Sequence, residues 1–424
     1  MNNHLLLLTN IHQLIGILDK NIEKVVKMDQ LNCIQNAYLI IKGEQIMDYG
    51  KMEELDNSIN ADQTLDLKGH CVLPSWNDSH THLVFAGTRE QEFVDRINGL
   101  SYQEIAARGG GIINSAKKLG STSKEELFET SAKRLEDVMQ MGTGAVEIKS
   151  GYGLDVKNEL KMLQVIQQLK EKYPLPIKSN FLGAHALPSK YKDNKQGYLD
   201  LIINEMLPNI AKEKLADYID IFCETNYFSV EDMHQVLAAG IKHGLKPKVH
   251  VNQFTSIGGI QKALEFNAIS VDHLEVMEEK DINDLKNSST IATLLPSCSL
   301  FINIPYAPAK KLLKNNIPFA LATDYNPGSS PNGNMNLVAS LACIKMNISP
   351  EAAINAGTIN GAYAMELSKK TGSITKGKLA NLIVTEKITG YNYLPYSFGQ
   401  NHIHKVMIKG KWIYSFSNEF EFIF

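Results

Sequence analysis

From residue 71 to residue 324 the chain alternates short apolar runs with longer segments of helical periodicity. The first run, Cys71-Val72-Leu73-Pro74, leads into His80. Others close at Glu147-Ile148-Lys149, Phe181-Leu182-Gly183-Ala184-His185, Ile219-Asp220-Ile221-Phe222-Cys223-Glu224 and Lys248-Val249-His250. Three more close at Ser270-Val271-Asp272-His273, Ala292-Thr293-Leu294-Leu295 and Phe319-Ala320-Leu321-Ala322-Thr323-Asp324. Runs of this length read as buried strands. Between most of them lie helical signals. Ser123-x-x-Glu126 is a capping box that opens a helix through Met139. Leu160, Leu163, Ile166 and Leu169 fall on one face of a second helix, and Ser349-Pro350 pairs an N-cap with proline at the first helical position. Eight strands alternating with helices predict an α/β chain folded as a (β/α)8 TIM-like barrel, where catalytic groups lie at strand ends. A doubly wound open sheet is the alternative, but no Gly-rich dinucleotide fingerprint follows any strand.

The two ends read differently. Tyr38 to Ile46 and Val406 to Ile413 are each strand, tight glycine turn, strand, and Leu382-Ile383-Val384 adds another strand before the second of these. Both ends are β-rich and helix-poor. The expected arrangement is a small β-sandwich domain built from both chain termini, residues 1–72 and 376–424, with the barrel, residues 73–375, inserted between them.

At 424 residues the chain accommodates a barrel of roughly 250 residues plus a second domain. A net charge of −3 gives no footprint of a nucleic-acid or membrane partner. Five scattered cysteines without a Cys-x-x-Cys pair read as free thiols of a reducing cytoplasm. No stretch approaches the roughly 20 apolar residues of a membrane span. The expectation is a soluble cytoplasmic protein.

Polar residues terminating the apolar runs carry the chemistry. His80 and His82 are one residue apart and point to the same side of a strand, offering two imidazoles to a metal. His402-Ile403-His404 has the same spacing in a polar stretch and reads as a solvent-facing alternation. His185, His250, His273 and Asp324 each end a further run, whereas His4, His12, His70, His234 and His243 sit in polar or helical contexts and read as surface residues.

The chain resembles the amidohydrolase superfamily over nearly its whole length. Asp78 to Gly87, Glu147 to Gly153, Gly183 to Ala186, Gln253-Phe254 with Gly258-Gly259, Asp272 to Glu275 and Leu321 to Ser329 carry the likeness. They point to the branch that hydrolyses a cyclic amide, 4-imidazolone-5-propanoate, rather than to the cytosine, guanine or adenosine deaminases. The resemblance implies one Zn2+ or Fe ion per chain on His80, His82, His250 and Asp324. Binuclear relatives bridge two ions with a carbamylated lysine on strand four, and this strand ends in Cys223-Glu224 instead. It further implies Asp324 and His273 as the catalytic proton carriers, and Arg89, Tyr152, His185, Gln253, Asn326, Gly328 and Ser329 as substrate contacts. A homodimer is expected, the common default for such enzymes. Two departures stand out: Asn252 where the family usually has Asp, expected to touch the surroundings of the metal ligands, and Ser75-Trp76-Asn77 where it usually has Gly-Phe before the first Asp. Several residues have plainer readings. Arg89 could pair with Glu90 or Glu92 on a surface, Tyr152 could anchor a loop, Asn326-Pro327-Gly328 could be only a turn, and Gly109-Gly110-Gly111 a lid, an anion nest or a flexible loop. A non-catalytic scaffold barrel is the reading from a different class, set against a full ligand set.

Overall fold

A computed structural model describes residues 4–101, 104–105 and 108–415; residues 1–3 and 416–424 of the expected terminal domain lie outside the described residues. Eight parallel strands follow one another in chain order: β6 (Trp76–Thr81), β7 (Thr143–Lys149), β8 (Ile177–Ala184), β9 (Tyr218–Cys223), β10 (Lys246–Val251), β11 (Ser270–His273), β12 (Ile291–Leu294) and β13 (Phe319–Leu321). The ring closes just past the ends of β13 and β6. Asp324 N donates to His80 O at 3.0 Å and His82 N to Tyr325 O at 2.9 Å, and Thr81 bridges Tyr325 in parallel. The side chain of Asp78 reinforces this seam by accepting from Thr323 N at 3.0 Å and from its hydroxyl at 2.6 Å.

The helices between the strands start where local chemistry allows. Ser123 Oγ accepts from Glu126 N at 3.0 Å and opens the helix Lys124–Gln140. Asp155 caps the helix Val156–Lys172, which buries Leu163, Ile166 and Leu169 against the barrel. Ser349 caps Pro350–Gly357, with proline at its first position. Among the described residues no helix is long and apolar enough to cross a membrane.

A second sheet joins the two ends of the chain: β1 (Leu5–Ile15), β2 (Cys33–Lys42), β3 (Gln45–Lys51), β4 (Gln63–Asp66), β5 (His70–Pro74), β14 (Leu382–Lys387), β15 (Ile403–Ile408) and β16 (Lys411–Ser415). Its order is β16-β15-β14-β5-β1-β2-β3, with β4 also paired to β1. Here the sequence reading needs a correction. Cys71 to Pro74 is not the barrel strand that delivers His80; it is β5, and Val72, Leu73 and Pro74 pair antiparallel with Val384, Ile383 and Leu382. The chain leaves this sheet at Ser75, whose N–H donates to Asn381 O, and enters the barrel at Trp76.

Strand periodicity lets β14 serve two cores. Ile383 packs into the main hydrophobic cluster with the barrel residues, while Leu382 and Val384 point the other way, into the cluster of Leu8, Ile11 and Met407. Close approach of sheet and barrel requires a residue without a side chain at Gly144, where a Cβ would lie 2.0 Å from Ser75 Oγ.

Candidate active site

The six residues that end apolar runs converge at one end of the barrel. His80 lies on β6 and His82 one residue beyond it; His185 follows β8, His250 sits within β10, His273 ends β11 and Asp324 follows β13. All are buried. The backbone turns sharply at two of these points: His273 has φ 86° and Asp324 φ 54°, left-handed values that non-glycine residues adopt at a cost of about 1–3 kcal/mol and that cluster at functional sites.

The rings of His80, His82 and His250 are prepared to bind a cation. His80 Nδ1 donates to Asp272 Oδ2 at 2.7 Å and His250 Nδ1 to Asp220 Oδ1 at 3.0 Å, so each ring keeps its Nε2 lone pair free. His80 Nε2 is a buried polar atom without a hydrogen-bond partner. His82 Nε2 stands 3.4 Å from His250 Nε2, and Asp324 Oδ1 lies 3.5 Å and 3.6 Å from the Nε2 atoms of His80 and His82. Lone pairs gathered this closely repel unless something positive sits among them. Burial holds all three histidines well below the ordinary imidazole pKa, helped by Lys149 at His80 and His250 and by His185 at His82. They are therefore neutral, the form a metal binds. Three imidazoles converging within 4.8 Å give this end of the barrel the ligands to hold a metal ion.

Beneath the ligands lies a charge network that the sequence reading did not foresee. Lys149 Nζ, fully buried, contacts Glu147 Oε1 at 2.7 Å, Asp220 Oδ2 at 2.9 Å and Asp272 Oδ2 at 3.3 Å. Two of those carboxylates are the ones that orient His250 and His80. Lys248 Nζ closes on Glu147 Oε2, and Asn180 Nδ2 donates to both Glu147 and Asp220 at 3.0 Å. The available signal was period-two: Glu147 and Lys149 are two residues apart in an otherwise apolar strand and so share a face.

Asn252 does not belong to this network. Its Nδ2 donates to Val276 O at 2.8 Å and to Asp281 Oδ2 at 3.2 Å, tying two loops together. The carboxylates that orient the ligands are Asp220 and Asp272, so Asn252 is a loop clamp.

Around the histidines a pocket is lined by Arg89, Ile112, Tyr152, His185, Phe222, Gln253, His273, Asp324, Asn326 and Ser329. Arg89 is buried rather than paired on a surface. It faces the pocket, and its Nε and Nη2 both lie 2.8 Å from Glu92 Oε2. Glu92 thus holds the Nε–Nη2 side of the guanidinium. Gly328 lies flat against it; a Cβ there would be 2.2 Å from Nη1. Glu92 also accepts from Gly111 N at 3.1 Å and from Asn114 Nδ2 at 2.9 Å. The triple glycine therefore does receive an anion, and the anion is the protein's own.

The loop after β13 is organised by Asn326. Its Oδ1 accepts from Gly328 N and Ser329 N at 2.8 Å, and its Nδ2 donates to Asp324 O and Ser329 Oγ. Ser329 Oγ in turn donates to Asp324 Oδ2 at 3.2 Å. Burial pushes the Asp324 carboxyl up to about 6, against the lowering pull of His273. At His273 burial acts downward, but Glu275, whose Oε2 is 3.5 Å from Nδ1, wins and raises the imidazole. His185, pushed down to about 4 by burial, is neutral and faces the Gly151 carbonyl through Nδ1 at 3.1 Å. Gln253 Nε2 reaches Cys298 Sγ at 3.4 Å.

The second His-x-His pair stays outside this site. His404 lies on β15, stacks on His70 at 4.9 Å and contacts Glu386 at 3.3 Å, so it is half-buried rather than fully solvent-facing.

Comparison with known proteins gives the chain its family. The amidohydrolase family profile matches residues 71–413. The imidazolonepropionase of Christiangramia forsetii is 60% identical over 96% of this chain and 100% of its own length. That of Fusobacterium nucleatum is 39% identical over 96% and 98%. Among solved structures, the guanine deaminase of E. coli superposes with a TM-score of 0.75 at 14% identity, covering 98% of this chain and 100% of the other. Atrazine chlorohydrolase TrzN from Arthrobacter aurescens complexed with zinc gives 0.67 at 13%, covering 97% and 95%. At such identities these last two speak for the fold alone.

Proposed function

The chain belongs to the amidohydrolase family and, within it, to the imidazolonepropionases, and from that premise we propose how its residues divide the hydrolysis of 4-imidazolone-5-propanoate. Water adds to the ring carbonyl, the ring C–N bond opens, and N-formimidoyl-L-glutamate leaves. The observation that supports this division is the convergence on one pocket of three neutral imidazoles, two proton-carrying groups with raised pKa, and a buried guanidinium.

His80, His82, His250 and Asp324 would hold one divalent ion, Zn2+ or Fe. When bound, that ion lowers the pKa of water toward 7 and stabilises negative charge on oxygen. Asp324, beside that ion and held by Ser329, is placed to take the proton of the attacking water. His273, kept protonated by Glu275, hands a proton to the departing ring nitrogen. Arg89 sets its fixed positive charge against the propanoate carboxylate. Tyr152, His185 and Gln253 give directional hydrogen bonds to the ring; Gln253 donates and accepts but cannot act as base. Asn326, Gly328 and Ser329 form the floor, Asn326 by fixing the loop and Gly328 by letting Arg89 lie close. The working molecule is a cytoplasmic homodimer, checked by sedimentation of the purified chain.

The deciding experiment follows ultraviolet loss of freshly prepared substrate while bound metal is quantified on the same sample. Turnover with about one ion per chain, abolished by a chelator and restored by metal, is the expected result. A metal-loaded protein that leaves this substrate untouched would overturn the assignment.

A further inference from the structure

Beside the three-histidine site, the end of β11 holds a second gathering of ligating atoms. His273 Nδ1, a Glu275 carboxylate oxygen and Cys298 Sγ lie within 4.8 Å of one another, and all three side chains are buried. His273 ends β11 and Glu275 follows two residues later, while Cys298 comes from the helix Pro296–Ile302 after β12. The polar accounting here does not close. His273 Nδ1 and Glu275 Oε2 face each other at 3.5 Å, and neither atom has a hydrogen-bond partner. Glu275 Oε1, by contrast, accepts from Ser299 Oγ at 3.2 Å. A buried polar atom left unmet costs about 1–3 kcal/mol, more when charged. Two such atoms aimed at one another, with a thiol beside them, form the donor set of a soft-cation site.

We propose that His273 Nδ1, Glu275 Oε2 and Cys298 Sγ form a second cation site, distinct from that of His80, His82 and His250, which takes a thiophilic divalent ion such as Zn2+ or Cd2+ and stops turnover when filled. Imidazole, carboxylate and thiolate are ligands for these ions and not for Mg2+ or Ca2+. On binding, the thiol and His273 Nδ1 each give up a proton to solvent, and thiolate plus carboxylate neutralise the two positive charges. Because the site takes up a ring nitrogen of His273, filling it is inhibitory. An ion on Nδ1 takes over the lone pair and the Glu275 charge on which the second proton of His273 depends. The ring is then a neutral donor through Nε2 and cannot pass a proton. The site itself stands without the proposed reaction; the inhibition rests on the role given there to His273.

The test titrates the metal-loaded enzyme with Cd2+ and reads bound cadmium after dialysis, the ultraviolet thiolate-to-metal band, and turnover. The expected result is a further ion per chain, a thiolate band, and loss of turnover over the same Cd2+ range. Cys298→Ser should bind no further ion and show no band, with its rate, relative to its own Cd2+-free value, insensitive over that range. Glu275→Gln keeps an acceptor for Ser299 but removes the charge, and should weaken the further ion while keeping the thiol. Absence of a further ion, or a band that persists in Cys298→Ser, would overturn the site. A further Cys298-bound ion with unchanged turnover would overturn the inhibition and, with it, the proton role of His273.

Discussion

Replacing Lys149 with Met removes the one ammonium that touches both carboxylates orienting His80 and His250. The wild-type contacts are 2.7, 2.9 and 3.3 Å to Glu147, Asp220 and Asp272, all without solvent exposure. Two cations, Lys149 and Lys248, face three anions in this network. Deleting one cation leaves a buried excess of two negative charges, and breaking a buried ion pair from one side costs about 3–5 kcal/mol. Freed from the ammonium, Asp220 and Asp272 also lose the geometry in which they hold the imidazoles, a change that typically costs about 10–100-fold in metal affinity. Urea unfolding of the metal-stripped protein measures the first quantity, and competition with a chromophoric chelator the second. Adding Glu147→Gln removes one surplus charge without touching a histidine partner. The double variant should therefore regain stability, with a coupling of roughly 1–3 kcal/mol, while its metal affinity stays weak. A Lys149→Met protein that unfolds at the wild-type urea concentration and binds metal as tightly would refute the argument.

Three further outcomes are expected. Arg89→Met should raise KM with little change in kcat, costing about 2–3 kcal/mol for the lost charged hydrogen bonds, or roughly 30–150-fold in kcat/KM; steady-state kinetics decide, and an unchanged KM removes Arg89 from the carboxylate pocket. Glu275→Gln removes the charge that raises His273. Activity that needs protonated His273 is present below its pKa and lost above it, so lowering that pKa should move the alkaline limb of the pH–rate profile to lower pH; a limb that stays or rises contradicts the acid role. Asn252→Asp would set a carboxylate against Val276 O and Asp281, where an amide now donates at 2.8 and 3.2 Å. It should cost about 2–3 kcal/mol in unfolding and leave metal affinity untouched, and a tighter ion in that variant would restore Asn252 to the metal's surroundings.

The barrel was legible because buried parallel strands are nearly continuous apolar runs, and all eight predicted positions carry strands. Periodicity cannot say which sheet a run joins. That is why Cys71 to Pro74 read as a barrel strand, although its partner, Leu382 to Val384, lies at the other end of the chain. The histidines and Asp324 were legible from their places at strand ends. Lys149, Asp220 and Asp272 were not recognised as one network, because a charge within an apolar strand names its partner only after the ring closes. At Arg89 the surface-pair reading named a right partner in the wrong place: Glu92 does pair with it, but both side chains are buried beside the pocket.

The seam of the ring carries a consequence for synthesis. Asp78 and Thr323, which stitch β6 to β13, are 245 residues apart, and Cys71 waits for Thr385 across 314. Chains emerge from the ribosome N-terminus first at about 5–20 residues per second, so His80 and His82 are exposed for many seconds before Asp324 exists. For that interval the nascent chain offers a loose two-histidine claw to any passing ion. Only the last barrel strand turns it into a closed seat, so a firmly held ion certifies that the whole ring has been made.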